Sequence, residues 1–257
     1  MCLISFAYRI HPEFPLIVAA NRDEFLVRRT APAQYWDDAP GVLAGRDLEA
    51  GGTWMGVSTT GRFSALTNYR DPASIIPDAP SRGQLVSGFL SSTVDSGAYL
   101  HGLGTEADAY NGFNLLTYDG RTMNYVSNVS DAGPRELKPG LYGVSNHLLD
   151  TPWPKVKLAK SGLQRVIRSD RPDVGEMLAF MHDTGIAPDH QLPETGVSRE
   201  LERALSAAHI RLPEYGTRCS TVLLCHRDGW LEYTERSFSP DGSESGTRSF
   251  RIERPSL

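Results

Sequence analysis

The chain has 257 residues, 40% hydrophobic and 22% charged, with a formal net charge of −5, so it can bury a sizeable core and is ordinary for a globular protein. Without a basic run it lacks the Lys and Arg surplus that faces phosphates, which argues against nucleic acid as a partner. No stretch approaches the roughly 18 consecutive apolar residues of a membrane span, and the start lacks the basic and apolar regions of a secretory signal; a cytoplasmic protein without a transmembrane segment is expected.

In chain order, "LISFAYRI" and "FPLIVAAN" read as a first strand pair joined through His11, Pro12 and Glu13. "TWMGVS" and "FSALTN" flank Thr60-Gly61, a hairpin signal. Gln84 to Leu100 carries Leu85, Val86, Phe89 and Leu90 at helical spacing. "FNLLTY" and "TMNYVSN" flank Asp119-Gly120 as a further hairpin. Pro154 to Arg168 repeats the helical pattern with Val156, Ala159, Leu163, Val166 and Ile167. A third helical stretch, Asp173 to His209, is broken at Pro188 and Pro193, with an exposed loop at 186–196 and a plausible cap at Ser198. "STVLLCH" and "WLEYTERSF" flank Asp228-Gly229 and close the series. Antiparallel hairpins with segregated helices predict an α+β layered protein, most simply one domain over 1–257.

Candidate chemistry begins at Cys2. If Met1 is removed, the chain starts with an α-amine on the same residue as a thiol, and the amine can act as base toward its own nucleophile; the alternative is a small apolar residue opening a buried strand. Asn21, Arg22, Asp23 and Glu24 end a strongly apolar strand, where four polar residues are costly unless paired or set at a functional edge. Asn68, Asn111, Asn114 and Asn146 stand at strand ends, able to stabilise an oxyanion or simply to form turns. Arg218 opens the last hairpin and can orient a thiolate or bind a carboxylate. Three cysteines, Cys2, Cys219 and Cys225, with no Cys-x-x-Cys, indicate neither disulfide framework nor zinc ribbon. The seven histidines make no metal-ligand spacing, and no P-loop, Gly-x-Ser-x-Gly or His-Glu-x-x-His is present.

Together, "MCLI", "LIVAANRDEF", "GGTWMGVSTTGRFSALTNYRDP", "RGQLVSGFL", "YNGFNLL", "YGVSNHLLDTPWPK" and "YGTRCSTV" with "TERSF" follow in order along nearly the whole chain. In these segments the chain resembles the NRDE family, also called the transport and Golgi organisation protein 2 family. The resemblance implies an N-terminal nucleophile hydrolase-like fold, a four-layer αββα sandwich of two antiparallel sheets between helix layers. More distantly the chain is similar to choloylglycine hydrolase and penicillin V acylase, which implies Cys2 as nucleophile, Asp23 as the aspartate after the second strand, Asn68 and Asn146 as the oxyanion asparagines, and Arg218 as the late arginine. The arginine those hydrolases carry near the second strand aligns with Ala20 here, Arg22 standing two positions on. Asn21, Arg22, Tyr69, Asn114 and His147 are expected to contact the substrate. The implied function is cleavage of an amide or acyl bond in a small or lipid-like molecule. The alternative is a haem-trafficking or lipid-ligand carrier, with Cys2, His147 or Cys225-His226 ligating haem; the expected partner is accordingly a small-molecule, acyl or haem ligand, with no cofactor required. A third reading, an interaction protein of membrane traffic, finds no patch or tail in the sequence.

Overall fold

Residues 2–253 are described by the computed structural model. Its elements are β1 (Cys2–Tyr8), β2 (Leu16–Phe25), β3 (Thr30–Trp36), β4 (Ala39–Asp47), β5 (Met55–Ser58), β6 (Phe63–Asn68), α1 (Gly83–Ser91), α2 (Ser96–Leu103), β7 (Phe113–Tyr118), β8 (Met123–Ser127), β9 (Arg135–Glu136), β10 (Gly140–Val144), α3 (Pro154–Val166), α4 (Val174–Met181), α5 (Arg199–Ala204), β11 (Tyr215–Cys225), β12 (Trp230–Phe238) and β13 (Glu244–Glu253).

All strand pairs are antiparallel. One sheet has the order β10-β1-β2-β11-β12-β13; the other is a seven-stranded meander from β3 to β9. Strand periodicity builds the layers, because successive side chains point to opposite faces. In the first hairpin Cys2, Ile4, Phe6 and Tyr8, with Leu16, Val18 and Ala20, enter the core between the sheets. Leu3, Ala7, Ile17 and Ala19 face the other way, onto Val156, Ala159 and Leu163 of α3 and Met177, Leu178 and Met181 of α4. Beyond the second sheet, Leu66, Phe113, Leu115 and Val126 meet Leu85, Val86, Phe89 and Leu90 of α1 and Leu100 of α2. The result is the expected four-layer αββα sandwich. Cys2 sits at the end of an all-buried strand, at the edge of the inter-sheet core.

Several elements depart from expectation. The helix predicted over Gln84 to Leu100 is two: Ser92 ends α1 by returning its N–H and Oγ to the Phe89 carbonyl, and Asp95 starts α2 by accepting from the Ala98 N–H. The Asp173 to His209 stretch is helical only in α4, α5 and one short 3-10 turn. The β3–β4 hairpin and β13 were not signalled. Pro32 lies on the edge strand β3, where a register shift between Ala31 and Gln34 accommodates it. β13 is almost wholly exposed and carries no alternating apolar pattern. Among the described residues no helix is long and apolar enough to cross a membrane.

Two contacts yield measurable expectations. A Cβ on Gly52 would lie 2.6 Å from the Gly83 carbonyl carbon, so these glycines let the start of α1 lie against the 52–54 segment. Gly52→Ala is expected to destabilise by about 1–3 kcal/mol, since backbone cannot give way as a side chain can. In contrast, Gly102→Ala in α2, where a Cβ meets nothing within 4 Å, is expected to stabilise by up to about 1 kcal/mol; urea unfolding midpoints check both. The His182 and His209 rings lie 4.2 Å apart beside Phe238. Burial, with His182 and Arg211 nearby, pushes His209 down from 6.5 to about 4. A depressed base binds its proton more readily when unfolded, so the neutral histidine's contribution is present above pH 6.5 and lost as pH falls toward 4. The expected loss is on the order of 1–3 kcal/mol across that window, and His209→Phe should reduce it in thermal melts, the remainder coming from His182, which burial also holds low.

Candidate active site

The two sheets part beyond Cys2 and leave a cleft of about 730 Å³. Register places Cys2 opposite Arg22, and Arg22 opposite Cys219, so two thiols flank one guanidinium on the inter-sheet face. Arg22 is buried and lies 3.6 Å from Glu24. Burial pushes the Cys2 thiol up; the Asp23 charge does the same, while Arg22 and a hydrogen bond from the Asp23 backbone N–H favour the thiolate. Glu235, another buried carboxyl in the wall, accepts from the Ala33 N–H at 2.7 Å and from the Cys219 thiol, and burial raises its pKa.

Asp23 stands where β2 meets the bulged end of β11. Its Oδ1 accepts from Thr217 Oγ1 at 2.7 Å and its carbonyl from the Tyr215 hydroxyl at 2.9 Å. Burial raises its pKa, with Lys155, the Thr217 hydroxyl and Arg70 working against that rise. The bulge falls between Thr217 and Cys219 and leaves Arg218 without a pairing partner. Its NH1 donates to the carbonyls of Phe25, Leu26 and Arg28 at 3.0, 3.3 and 3.0 Å, tying down the turn that continues the cleft wall.

Asn68, at the end of β6, lines the cleft and also a second cavity of about 620 Å³. Asn146 is fully buried; its Nδ2 donates to the Asn68 carbonyl at 3.0 Å, while Ser145 Oγ donates to its Oδ1 at 3.1 Å and to the Cys2 carbonyl at 2.8 Å. One short segment therefore fastens Asn68 and Cys2 together. Arg82, just before α1, lines both cavities, donates to the Gly112 carbonyl at 2.9 Å and faces Cys2 and Glu24.

Of the sequence-predicted residues, Cys2, Arg22, Asp23, Asn68 and Arg218 line the cleft, and Tyr69 and Asn146 line the second cavity with Asn68. Asn21, Asn114 and His147 line neither cavity, and their polar atoms are engaged within the protein. Asn21 faces the helix layer, its amide donating to the Met181 and Ala208 carbonyls at 2.7 Å each and accepting from Ser220 Oγ at 2.6 Å. Asn114 donates to Thr67 Oγ1 and the His147 carbonyl and accepts from the Tyr125 hydroxyl. His147 has its ring nitrogens against the Tyr69 hydroxyl at 3.0 Å and Thr151 Oγ1 at 2.8 Å. Cys225 is buried at the far end of β11, and His226 stacks on Trp230; of the proposed haem ligands, only Cys2 lines the cleft. Met1 lies outside the described residues.

Sequence reasoning missed Arg82, Glu235 and Lys155. Lys155 had a signal, since it falls in register with Ala159, Gly162 and Val166 on the apolar face of α3, where an unaccompanied cation is out of place. Glu235, one polar residue among many in "LEYTERSF", carried none.

The Transport and Golgi organization protein 2 homolog of Bos taurus is 38% identical over 278 residues, covering 98% of this chain and 100% of that relative. The Homo sapiens homolog is 38% identical over 273 residues, covering 98% and 99%. Among solved structures, the Caenorhabditis elegans N-acylethanolamine-hydrolyzing acid amidase ortholog superposes with a TM-score of 0.48 at 10% identity, covering 87% of this chain and 92% of that one. The family model described as Transport and Golgi organisation 2 matches residues 1–240, and with these relatives the chain belongs to that family.

Proposed function

We propose that the protein is a cysteine hydrolase-like enzyme of the N-terminal nucleophile type, cleaving an amide or acyl bond of a small or lipid-like substrate at Cys2. The observation that carries this reading is the Cys2 thiol at the wall of a cleft, opposite Arg22 and hydrogen-bonded by the Asp23 backbone N–H. A thiol whose pKa is raised by burial is a poor standing thiolate, so it needs a base at the moment of attack. With Met1 removed, the Cys2 α-amine takes that proton, and Asp23 orients the amine.

The sulfur then bonds to the carbonyl carbon, and the carbonyl π electrons move to oxygen. The Asn68 amide donates to this oxyanion, while Asn146 acts through Asn68 by holding its backbone. Collapse re-forms the carbonyl and expels the leaving amine, which takes the proton from the α-ammonium. Water cleaves the resulting thioester by the same steps, and the thiol returns. Arg22 lies beside the sulfur and offsets its developing charge in the cleft.

The test is a panel of acyl amides and thioesters, read by product release and by intact mass. An acyl adduct on Cys2 in protein lacking Met1 is expected, absent in Cys2→Ala. Asn68→Ala is expected to lower kcat by about 10²–10³ with a smaller effect on KM, as removal of one oxyanion donor does. Retention of Met1, or equal turnover by Cys2→Ala, overturns the reading.

A further inference from the structure

Lys155 is the second residue of α3 and is 2% exposed. Its Nζ has no hydrogen-bond partner among the described residues. Three costs fall on one side chain: an ammonium removed from water, donors without acceptors, and a cation at the helix end where backbone N–H groups already carry positive charge. Packing does not require it, because a methionine fills a similar volume on the same apolar face without these costs. What surrounds it is charge: Asp23 from β2, Cys2 from β1, Arg70 just past β6, and Glu202 from α5.

Glu202 is already engaged. Arg70 NH1 meets its Oε2 at 2.8 Å, and Thr195 donates to its Oε1 through backbone N–H and hydroxyl. Arg70 also lies 5.1 Å over the Trp153 ring. Arg70 acts on Asp23 as well as on Glu202, but Lys155 is the larger influence on Asp23, and Lys155 in turn is held up by Asp23 first and by Cys2 more weakly. Lys155 does not line the cleft, so it reaches a bound molecule only through these groups.

We propose that Lys155 is a positioning residue of the Cys2 site, the buried counter-charge that favours ionised Asp23 and an ionised Cys2 sulfur from behind the sheet. The inference rests on the reading of Cys2 as the reacting nucleophile. Burial pushes Lys155 down to about 8, with Asp23 the largest influence holding it up. The counter-charge is therefore in place at neutral pH and withdrawn as pH rises through about 8.

Iodoacetamide tests this, with the rate at Cys2 followed against pH by peptide mass, which separates it from Cys219 and Cys225. Lys155→Met is expected to move the midpoint of the Cys2 profile upward by about a third of a pH unit, roughly twofold less thiolate at neutral pH. Lys155→Arg, which keeps the charge, should restore the wild-type profile. A second readout does not depend on Lys155→Met folding. The chain has only three other lysines, Lys138, Lys157 and Lys160, so Lys155 can be followed by its side-chain carbon signal in NMR. It should titrate near 8 in the wild type and about half a unit or more lower in Asp23→Asn. Wild-type Cys2 that stays unmodified at every pH removes the nucleophile reading and this inference with it. Cys2 that reacts with one profile in wild type and folded Lys155→Met, or a Lys155 titration indifferent to Asp23→Asn, overturns this inference alone.

Discussion

The structure turns on a run of four polar residues, Asn21-Arg22-Asp23-Glu24, at the end of a strand covered on both faces. A buried polar group left unsatisfied costs about 1–3 kcal/mol, and a buried charge more. Each must therefore find partners on whichever face the strand period assigns it. Asn21 finds two carbonyls in the helix layer, of Met181 and Ala208, and the Ser220 hydroxyl on the neighbouring strand β11. Arg22 turns inward, between two thiols and near Glu24. Asp23 has Thr217 and Tyr215 from the neighbouring strand, with Lys155 and Arg70 as nearby cations. No purely apolar interior accepts such a run, so the layers open at this end of the sheet and the cleft forms here.

The opening is maintained by features that do not touch the Cys2 sulfur. The β11 bulge frees Arg218 to gather three carbonyls of the turn after β2. The Gly52–Gly83 approach brings the start of α1, and Arg82 with it, to the cleft. Ser145 and Asn146 tie Cys2 to Asn68 across the gap between the sheets. Each device joins elements far apart in sequence, so the site holds its shape only when both sheets are assembled.

Legibility followed the range of the interactions. The hairpins at Gly61, Gly120 and Gly229 were readable because each turn needs a positive φ, here 81°, 92° and 93°, that glycine supplies locally. The layered α+β arrangement followed from those turns and the helical spacing between them. The break between α1 and α2 was hidden because the apolar spacing survives it, while the stop depends on Ser92 and Asp95 capping. At the site, Cys2 alone reads equally as a small apolar residue opening a buried strand; it was the polar run Asn21–Glu24 closing the neighbouring apolar strand, costly there unless paired or functional, that made this end of the sheet legible. The asparagines did not sort themselves. Asn21, Asn68, Asn114 and Asn146 are the same residue type at similar strand ends, and only the assembled layers turn Asn68 toward the cleft while Asn21 and Asn114 serve as braces.

The same physics that makes the site expensive gives it a direction. On the cleft side the Cys2 sulfur faces Arg22 and Arg82, both next to solvent-filled space where their fields are partly screened. On the other side lie Lys155 and Arg70, sealed beneath α3, where a charge acts through a lower effective dielectric and counts for more. Arg70 is also paired with Glu202, so among the cations on this side Lys155 is the largest influence favouring ionised Asp23, with Arg70 adding to it. A group so placed influences reactivity without obstructing the cleft, and it does so only while buried, because exposure would screen it. The desolvation of Lys155, which destabilises the fold considered alone, is thus the condition under which its charge acts on the sulfur.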